Sequence, residues 1–237
     1  MLLPALRPQL LCLPHAGGSA VMYHAWRPAL AEVARVRPVD LPGHGSRRRE
    51  PLAQDIGTLT RTLAAELAPG IEGPYAVFGH SFGAVVAFEL THRLSQLVGP
   101  PAALIVSGRN SPRTPHALPP LHNAPPAQLL SGLRTLEGAL PAVEDSPELL
   151  DLFLPPLRAD LRMTETYRRP TELPPLACPV HVFAGDLDPV VDAPGLAAWA
   201  AETTGPCRVT TVRGGHMMLA SAELRSALAD LLTVGAM

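Results

Sequence analysis

Ser81 stands at the centre of Gly79-His80-Ser81-Phe82-Gly83, between the apolar runs Tyr75-Ala76-Val77-Phe78 and Ala84-Val85-Val86-Ala87-Phe88. A serine hydroxyl is a poor nucleophile at neutral pH. It attacks a carbonyl usefully only with a base in reach and with donors set to receive the negative charge of a tetrahedral intermediate. Later in the chain come Asp188, in Gly185-Asp186-Leu187-Asp188, and His216, in Arg213-Gly214-Gly215-His216. The His216 imidazole is suited to take the Ser81 proton and return it to a leaving group, while a carboxylate orients the ring and stabilises imidazolium. Asp186 and Asp192 compete for that last role, and the Gly185-x-x-Asp188 spacing favours Asp188.

These residues need elements that bring them to one place. The apolar run, the glycine-flanked serine and the second apolar run read as strand, sharp turn and helix, which projects the hydroxyl at a helix N-terminus. Val180 to Ala184 and Val209 to Val212 read as strands, so Asp188 and His216 each follow a strand's C-terminal end. That is the edge where open α/β sheets place their chemistry. One oxyanion donor is expected to be the backbone N–H of Phe82. The other is expected from the loop after the first clear strand, Gln9 to Pro14, at the N–H of Ala16 within His15-Ala16-Gly17-Gly18. His15, Gly17 and Met217 are the expected substrate-lining positions. The competing reading of the glycine loop is a strained turn with no catalytic part.

Strand and helix alternate along most of the chain: a helix candidate from Trp26 to Val33, a strand from Val36 to Asp40, a helical stripe from Leu52 to Ala68, the helix after Ser81 to about Leu97, and a strand from Ala102 to Val106. This implies an α/β fold with a mostly parallel central sheet and helices on both faces. The alternation is interrupted over residues 110–175, a proline-rich stretch with helical patterns over Ala127 to Leu136 and from Ser146-Pro147-Glu148 onward. Ser146 suits an N-cap, Pro147 the first helical position and Glu148 the positive end of the dipole. Leading out of a strand at the active edge, the stretch is expected to form a helical lid over Ser81; the alternative is a pair of packing helices.

Composition narrows the chemistry. The chain has 237 residues, 47% of them hydrophobic, enough for one sizeable core, and residues 1–237 are read as a single domain carrying the insertion. A net charge of −2 implies no general affinity for nucleic acid. All 19 cationic residues are arginines, which excludes a phosphate-loop lysine and Schiff-base chemistry. Cys12, Cys178 and Cys207 are widely spaced, and neither a Cys-x-x-Cys pair nor histidine at ligand spacing is present, so no metal site is expected. The N-terminal run is broken by prolines and lacks a basic region, and no apolar stretch approaches the ~20 residues that span a bilayer. The expectation is a soluble, cytoplasmic, monomeric protein. His44 and His80 are read as loop-shaping, and Arg47-Arg48-Arg49 as a solvated loop rather than a hold for an acidic partner.

Leu13-Pro14-His15-Ala16-Gly17-Gly18, Leu41-Pro42-Gly43-His44-Gly45-Ser46-Arg47, the Ser81 pentapeptide, Leu157-Arg158-Ala159-Asp160, Glu165-Thr166-Tyr167 and Gly214-Gly215-His216 together resemble the type II thioesterases of polyketide and nonribosomal peptide synthesis, members of the α/β-hydrolase superfamily. The resemblance covers nearly the whole chain. It implies an editing enzyme that hydrolyses aberrant acyl groups from the phosphopantetheine of acyl or peptidyl carrier proteins, with no cofactor beyond the one its substrate carries. It carries the catalytic triad onto Ser81, Asp188 and His216 and the oxyanion hole onto Ala16 and Phe82. Met217-Met218 depart from the aromatics common in relatives, so acyl preference does not transfer. The alternatives from other classes are a small-ester esterase or acyltransferase of the same fold, and a carrier-binding module with incidental catalysis.

Overall fold

Along β1 (Gln9–Leu13), Leu11 and Leu13 enter one hydrophobic core while Leu10 and Cys12 enter another, the two-residue period of a strand buried on both faces. The same alternation divides Tyr75 and Val77 from Ala76 and Phe78 on β3 (Tyr75–His80), and Leu104 and Val106 from Ala103 and Ile105 on β4 (Ala103–Ser107). With β2 (Arg35–Pro38), β5 (Val180–Gly185) and β6 (Cys207–Val212) they form a six-stranded sheet in the order β2-β1-β3-β4-β5-β6, parallel at every pairing. The computed structural model describes residues 7–116, 118–137 and 146–233.

Helices cover both faces, as the alternation requires. α2 (Ile56–Leu67) and α3 (Phe82–Val98) close one core, with Ile56, Leu59 and Leu63 at helical spacing. α1 (Trp26–Ala29) and α7 (Ala222–Thr233) close the other, where Leu224, Leu228 and Leu232 line up every fourth residue. Truncating one such buried leucine to alanine costs about 2–5 kcal/mol. α2 starts at Ile56 rather than Leu52 because Asp55 caps it, its carboxylate accepting from the Thr58 N–H at 2.7 Å. The helix expected over Trp26 to Val33 is confined to Trp26–Ala29 and continues as turns, the Leu30 carbonyl accepting from both Val33 and Ala34. β2 ends at Pro38, which has no N–H for the ladder.

Between β4 and β5 lie α4 (Pro126–Glu137) and α5 (Pro147–Thr166). The Ser146 hydroxyl caps α5 as its sequence implies, accepting from the Leu149 N–H. Pro155 and Pro156 inside the helix remove two donors to the preceding turn. Leu129 and Leu133 of α4 and Leu157 and Leu161 of α5 form a third apolar cluster, against which Leu121 and, from the loop after β1, Ala16 pack. α6 (Ala193–Ala197) follows β5.

Candidate active site

β3 ends at His80 and α3 begins at Phe82, so Ser81 alone makes the turn. Its backbone, φ 56° and ψ −114°, is the one positive-φ conformation at a non-glycine residue among those described. Such a conformation costs about 1–3 kcal/mol and persists only where its surroundings enforce it. Here the Ser81 N–H donates to the Ser107 carbonyl at 2.8 Å and the Ser81 carbonyl accepts from Ala84 at 3.0 Å. Gly79 and Gly83 supply the room: a Cβ on Gly79 would strike the Gly83 carbonyl, and one on Gly83 the carbonyls of Leu13 and Pro14. The second approach brings the loop after β1 up to the serine turn. The first N–H groups of α3, with no helical carbonyl before them, point at the same place.

His216 hangs from the turn after β6. Its Nε2 lies 2.9 Å from Ser81 Oγ, and its Nδ1 lies 3.0 and 3.1 Å from the two carboxylate oxygens of Asp188. An acidic partner claims a proton on Nδ1, so the Nε2 lone pair faces the serine hydroxyl. Asp188 also accepts from the Val190 N–H at 2.9 Å, and both it and His216 are buried. The competing aspartates do other work. Asp186 is exposed and accepts from the Gly214 N–H at 2.8 Å, while Asp192 caps α6 through the Gly195 N–H at 2.6 Å.

His80 backs this chain from inside the protein. Its ring centroid is 5.0 Å from that of His216, and its Nδ1 is 2.8 Å from Ser107 Oγ. Burial, with His216 and His15 adding to it, pushes its pKa well below the usual imidazole value, so it packs as a neutral ring. Gly108, at φ 62°, leaves space for both imidazoles; a Cβ there would come within 3.1 Å of His216 Cε1.

In the loop after β1, the Gly18 N–H donates to the His15 carbonyl at 2.9 Å and Gly17 has φ 71°, the pattern of a type II turn centred on Ala16 and Gly17. The Gly17 N–H donates to Asp160 Oδ2 at 2.9 Å, and His15 Nδ1 lies 2.9 Å from the Ala16 carbonyl oxygen. The Ala16 N–H takes part in none of these bonds. Burial lowers the His15 pKa to about 4, against the pull of the Ala16 carbonyl and with His216 deepening the shift. α5 presses on this turn: a Cβ on Gly17 would meet Leu157 Cβ at 3.2 Å and Phe153 Cε2 at 3.4 Å. Met217 is half-buried directly after His216, and Met218 is buried.

Sequence reasoning did not find the pairing of His44 with Asp160, whose Nε2 and Oδ2 are 2.9 Å apart with both side chains buried. His44 Nδ1 faces the Pro42 carbonyl at 3.0 Å, so both ring nitrogens confront acceptors, which suits an imidazolium. Burial pulls the His44 pKa down, but the close Asp160 carboxylate outweighs it and the net direction is up. Burial raises that of Asp160, offset in part by His44 and the Gly17 N–H. No spacing signal links a residue in the loop after β2 to one on α5. Arg47 is held by Glu50 and Glu66 within the chain, while Arg48 and Arg49 are exposed. A cavity of about 800 Å³ lies at the root of the insertion, lined by Pro112 to Pro115 and residues between Tyr167 and Pro175; none of Ser81, Asp188 and His216 lines it. No cluster able to hold a metal ion occurs among the described residues.

A serine on a strained strand-to-helix turn, in contact with an imidazole backed by a carboxylate at the C-terminal edge of a parallel sheet, is the arrangement of a serine hydrolase of the α/β-hydrolase fold. The profile of the thioesterase domain family matches residues 8–233, and the chain belongs to that family. It is 38% identical over 211 residues to a Streptomyces griseus protein described as "Probable cadicidin biosynthesis thioesterase", covering 89% of this chain and 58% of that one. It is 39% identical over 215 residues to thioesterase PikA5 of Streptomyces venezuelae, covering 89% and 75%. The solved structure of the type II thioesterase BorB from the borrelidin biosynthetic cluster superposes with a TM-score of 0.81 at 38% identity, covering 97% of this chain and 92% of that one.

Proposed function

We propose that this protein is a type II thioesterase that hydrolyses aberrant acyl groups from the phosphopantetheine of carrier proteins in a polyketide or nonribosomal peptide assembly line. The observation that carries this reading is the continuous chain from Ser81 Oγ to His216 Nε2 at 2.9 Å and from His216 Nδ1 to Asp188 at 3.0 Å, in a member of the thioesterase family.

In this reading Ser81 Oγ attacks the thioester carbonyl and gives its proton to His216. The Ala16 and Phe82 N–H groups receive the oxyanion, and Asp188 stabilises the imidazolium. The tetrahedral intermediate collapses, the carbon–sulfur bond breaks, and the sulfur leaves with the His216 proton as the free pantetheine thiol. Water then surrenders a proton to His216 and attacks the Ser81 ester, releasing the carboxylic acid and regenerating the hydroxyl. The thioester brings its own activation, so no cofactor is required. One chain holds every participating residue, in keeping with a monomer, and no described helix is long and apolar enough to cross a membrane. The proposed compartment is the cytoplasm, where the carrier partners work.

We assign the described part of residues 110–175 as a lid inserted in a single domain, because α5 rests on the turn that carries Ala16; residues 117 and 138–145 of that stretch lie outside the described residues. His15, Gly17 and Met217 would then border the acyl group. The test is acyl release from acetyl-, propionyl-, longer acyl- and aminoacyl-carrier proteins by wild type and Ser81→Ala. Release that disappears in the variant supports the reading. Cleavage of simple oxygen esters with no release from any carrier would overturn the substrate and leave only the serine mechanism.

A further inference from the structure

The turn proposed to supply the Ala16 donor is not held by its own sequence alone. A type II turn with glycine at its third position converts readily to type I by rotating the central peptide, because glycine tolerates either sign of φ. Here the peptide between Ala16 and Gly17 is clamped at both ends. His15 Nδ1 lies against its oxygen at 2.9 Å, and its N–H donates to Asp160 Oδ2 at 2.9 Å. Asp160 lies 143 residues further along the chain, on α5. It is 1% exposed, and the same oxygen faces His44 Nε2 at 2.9 Å. Leu157, one turn before Asp160, packs over Gly17 from the same helix.

We propose that Asp160, paired with His44, is a positioning residue that seats the Ala16–Gly17 turn against the Ser81 elbow, so that the oxyanion hole is complete only while α5 is docked. The inference rests on the reading of Ala16 as an oxyanion donor. Asp160 reaches the substrate only through the turn. A donor must lie within a few tenths of an ångström of its ideal distance to stabilise the intermediate, and a misplacement of about 1 Å costs on the order of 100-fold. A lid helix that carries the acceptor for the turn therefore couples closure to rate.

The experiment measures kcat and KM for a short acyl-phosphopantetheine thioester, together with the binding of a trifluoromethyl ketone analogue whose Ser81 adduct carries an oxyanion. Folding of each variant is checked by thermal melting. Asp160→Ala is expected to lose about 10–100-fold in kcat and a similar factor in ketone affinity, with KM changed by less than about threefold. Asp160→Asn keeps a carbonyl for the Gly17 N–H and is expected to recover to within about fivefold of wild type. Should Asp160→Ala fail to fold, His44→Gln carries the test, with a parallel loss of about three- to tenfold in both quantities. A folded Asp160→Ala, or in its place His44→Gln, with wild-type kcat and ketone affinity overturns the proposal, as does an effect confined to KM. Ser81→Ala separates the two levels of the argument: release that persists without Ser81 overturns the catalytic reading itself.

Discussion

The turns after β3 and after β1 meet at one point but are built in opposite ways. The Ser81 elbow is enforced from within a few residues, by Gly79 and Gly83 and by the Ser107 carbonyl on the adjacent strand. The Ala16–Gly17 turn is enforced from a distance, by Asp160 on α5 and by Leu157 and Phe153 packed over Gly17. The first is therefore a fixed part of the sheet edge. The second depends on a helix with an edge in solvent, where Leu149 and Leu152 are exposed. On the proposed reading, the Ser81 nucleophile gains from rigidity, whereas the Ala16 donor loop, tied to an inserted helix, forms with the closed site.

Substitutions at the elbow should have the largest effects. Gly83→Ala places a Cβ against two backbone carbonyls that cannot move independently, so we expect loss of acyl release by more than about 1,000-fold or loss of soluble protein, read from turnover and thermal melting. Asp188→Asn should follow, lowering kcat by roughly 1,000- to 10,000-fold through the wrong His216 tautomer, while Asp186→Asn stays within about twofold. Equal effects of the two would reopen the choice of orienting carboxylate. Asp160→Ala, at about 10–100-fold, should be weaker than any change at the elbow; the reverse ranking would erase the contrast between the two turns.

That contrast also explains what the sequence discloses. Gly79, Ser81 and Gly83 are legible because a strained turn needs small residues at fixed local spacing. The sheet is legible because strands buried on both faces are written as short apolar runs. Asp188 could be preferred over Asp186 and Asp192 by spacing, but only the His216 contacts at 3.0 and 3.1 Å separate them. The His44–Asp160–Gly17 contact is illegible for a physical reason: its members come from two loops and a helix far apart in the chain, and a buried ion pair leaves no periodicity. The boundaries of α1 and α2 shifted for local reasons, the Asp55 cap among them.

Smaller, pH-dependent effects should sharpen the comparison. His80 and His15 have pKa values lowered by burial, to about 4 for His15, so the unfolded chain binds more protons below its ordinary value of 6.5. The stability they contribute is present above pH 6.5 and falls as pH drops toward 4, by about 3 kcal/mol for His15 alone. His44 runs the other way. Its pKa is raised, with Asp160 and Asp40 the charged groups facing it, so its contribution is full below 6.5 and is lost as pH rises through the folded value. Acid should loosen both turns and alkali only the turn after β1. Amide exchange of residues 15–18 against residues 79–84 across pH reads the difference, and parallel loosening at alkaline pH would contradict it.

The most direct test of the central claim is the thiol released in the first turnover of an acyl-phosphopantetheinyl carrier, followed by rapid quench with wild type and Ser81→Ala. The account predicts acyl attachment to the Ser81 peptide in wild type and a fall in thiol release of at least about 1,000-fold in the variant. Thiol release at the wild-type rate from Ser81→Ala would contradict it.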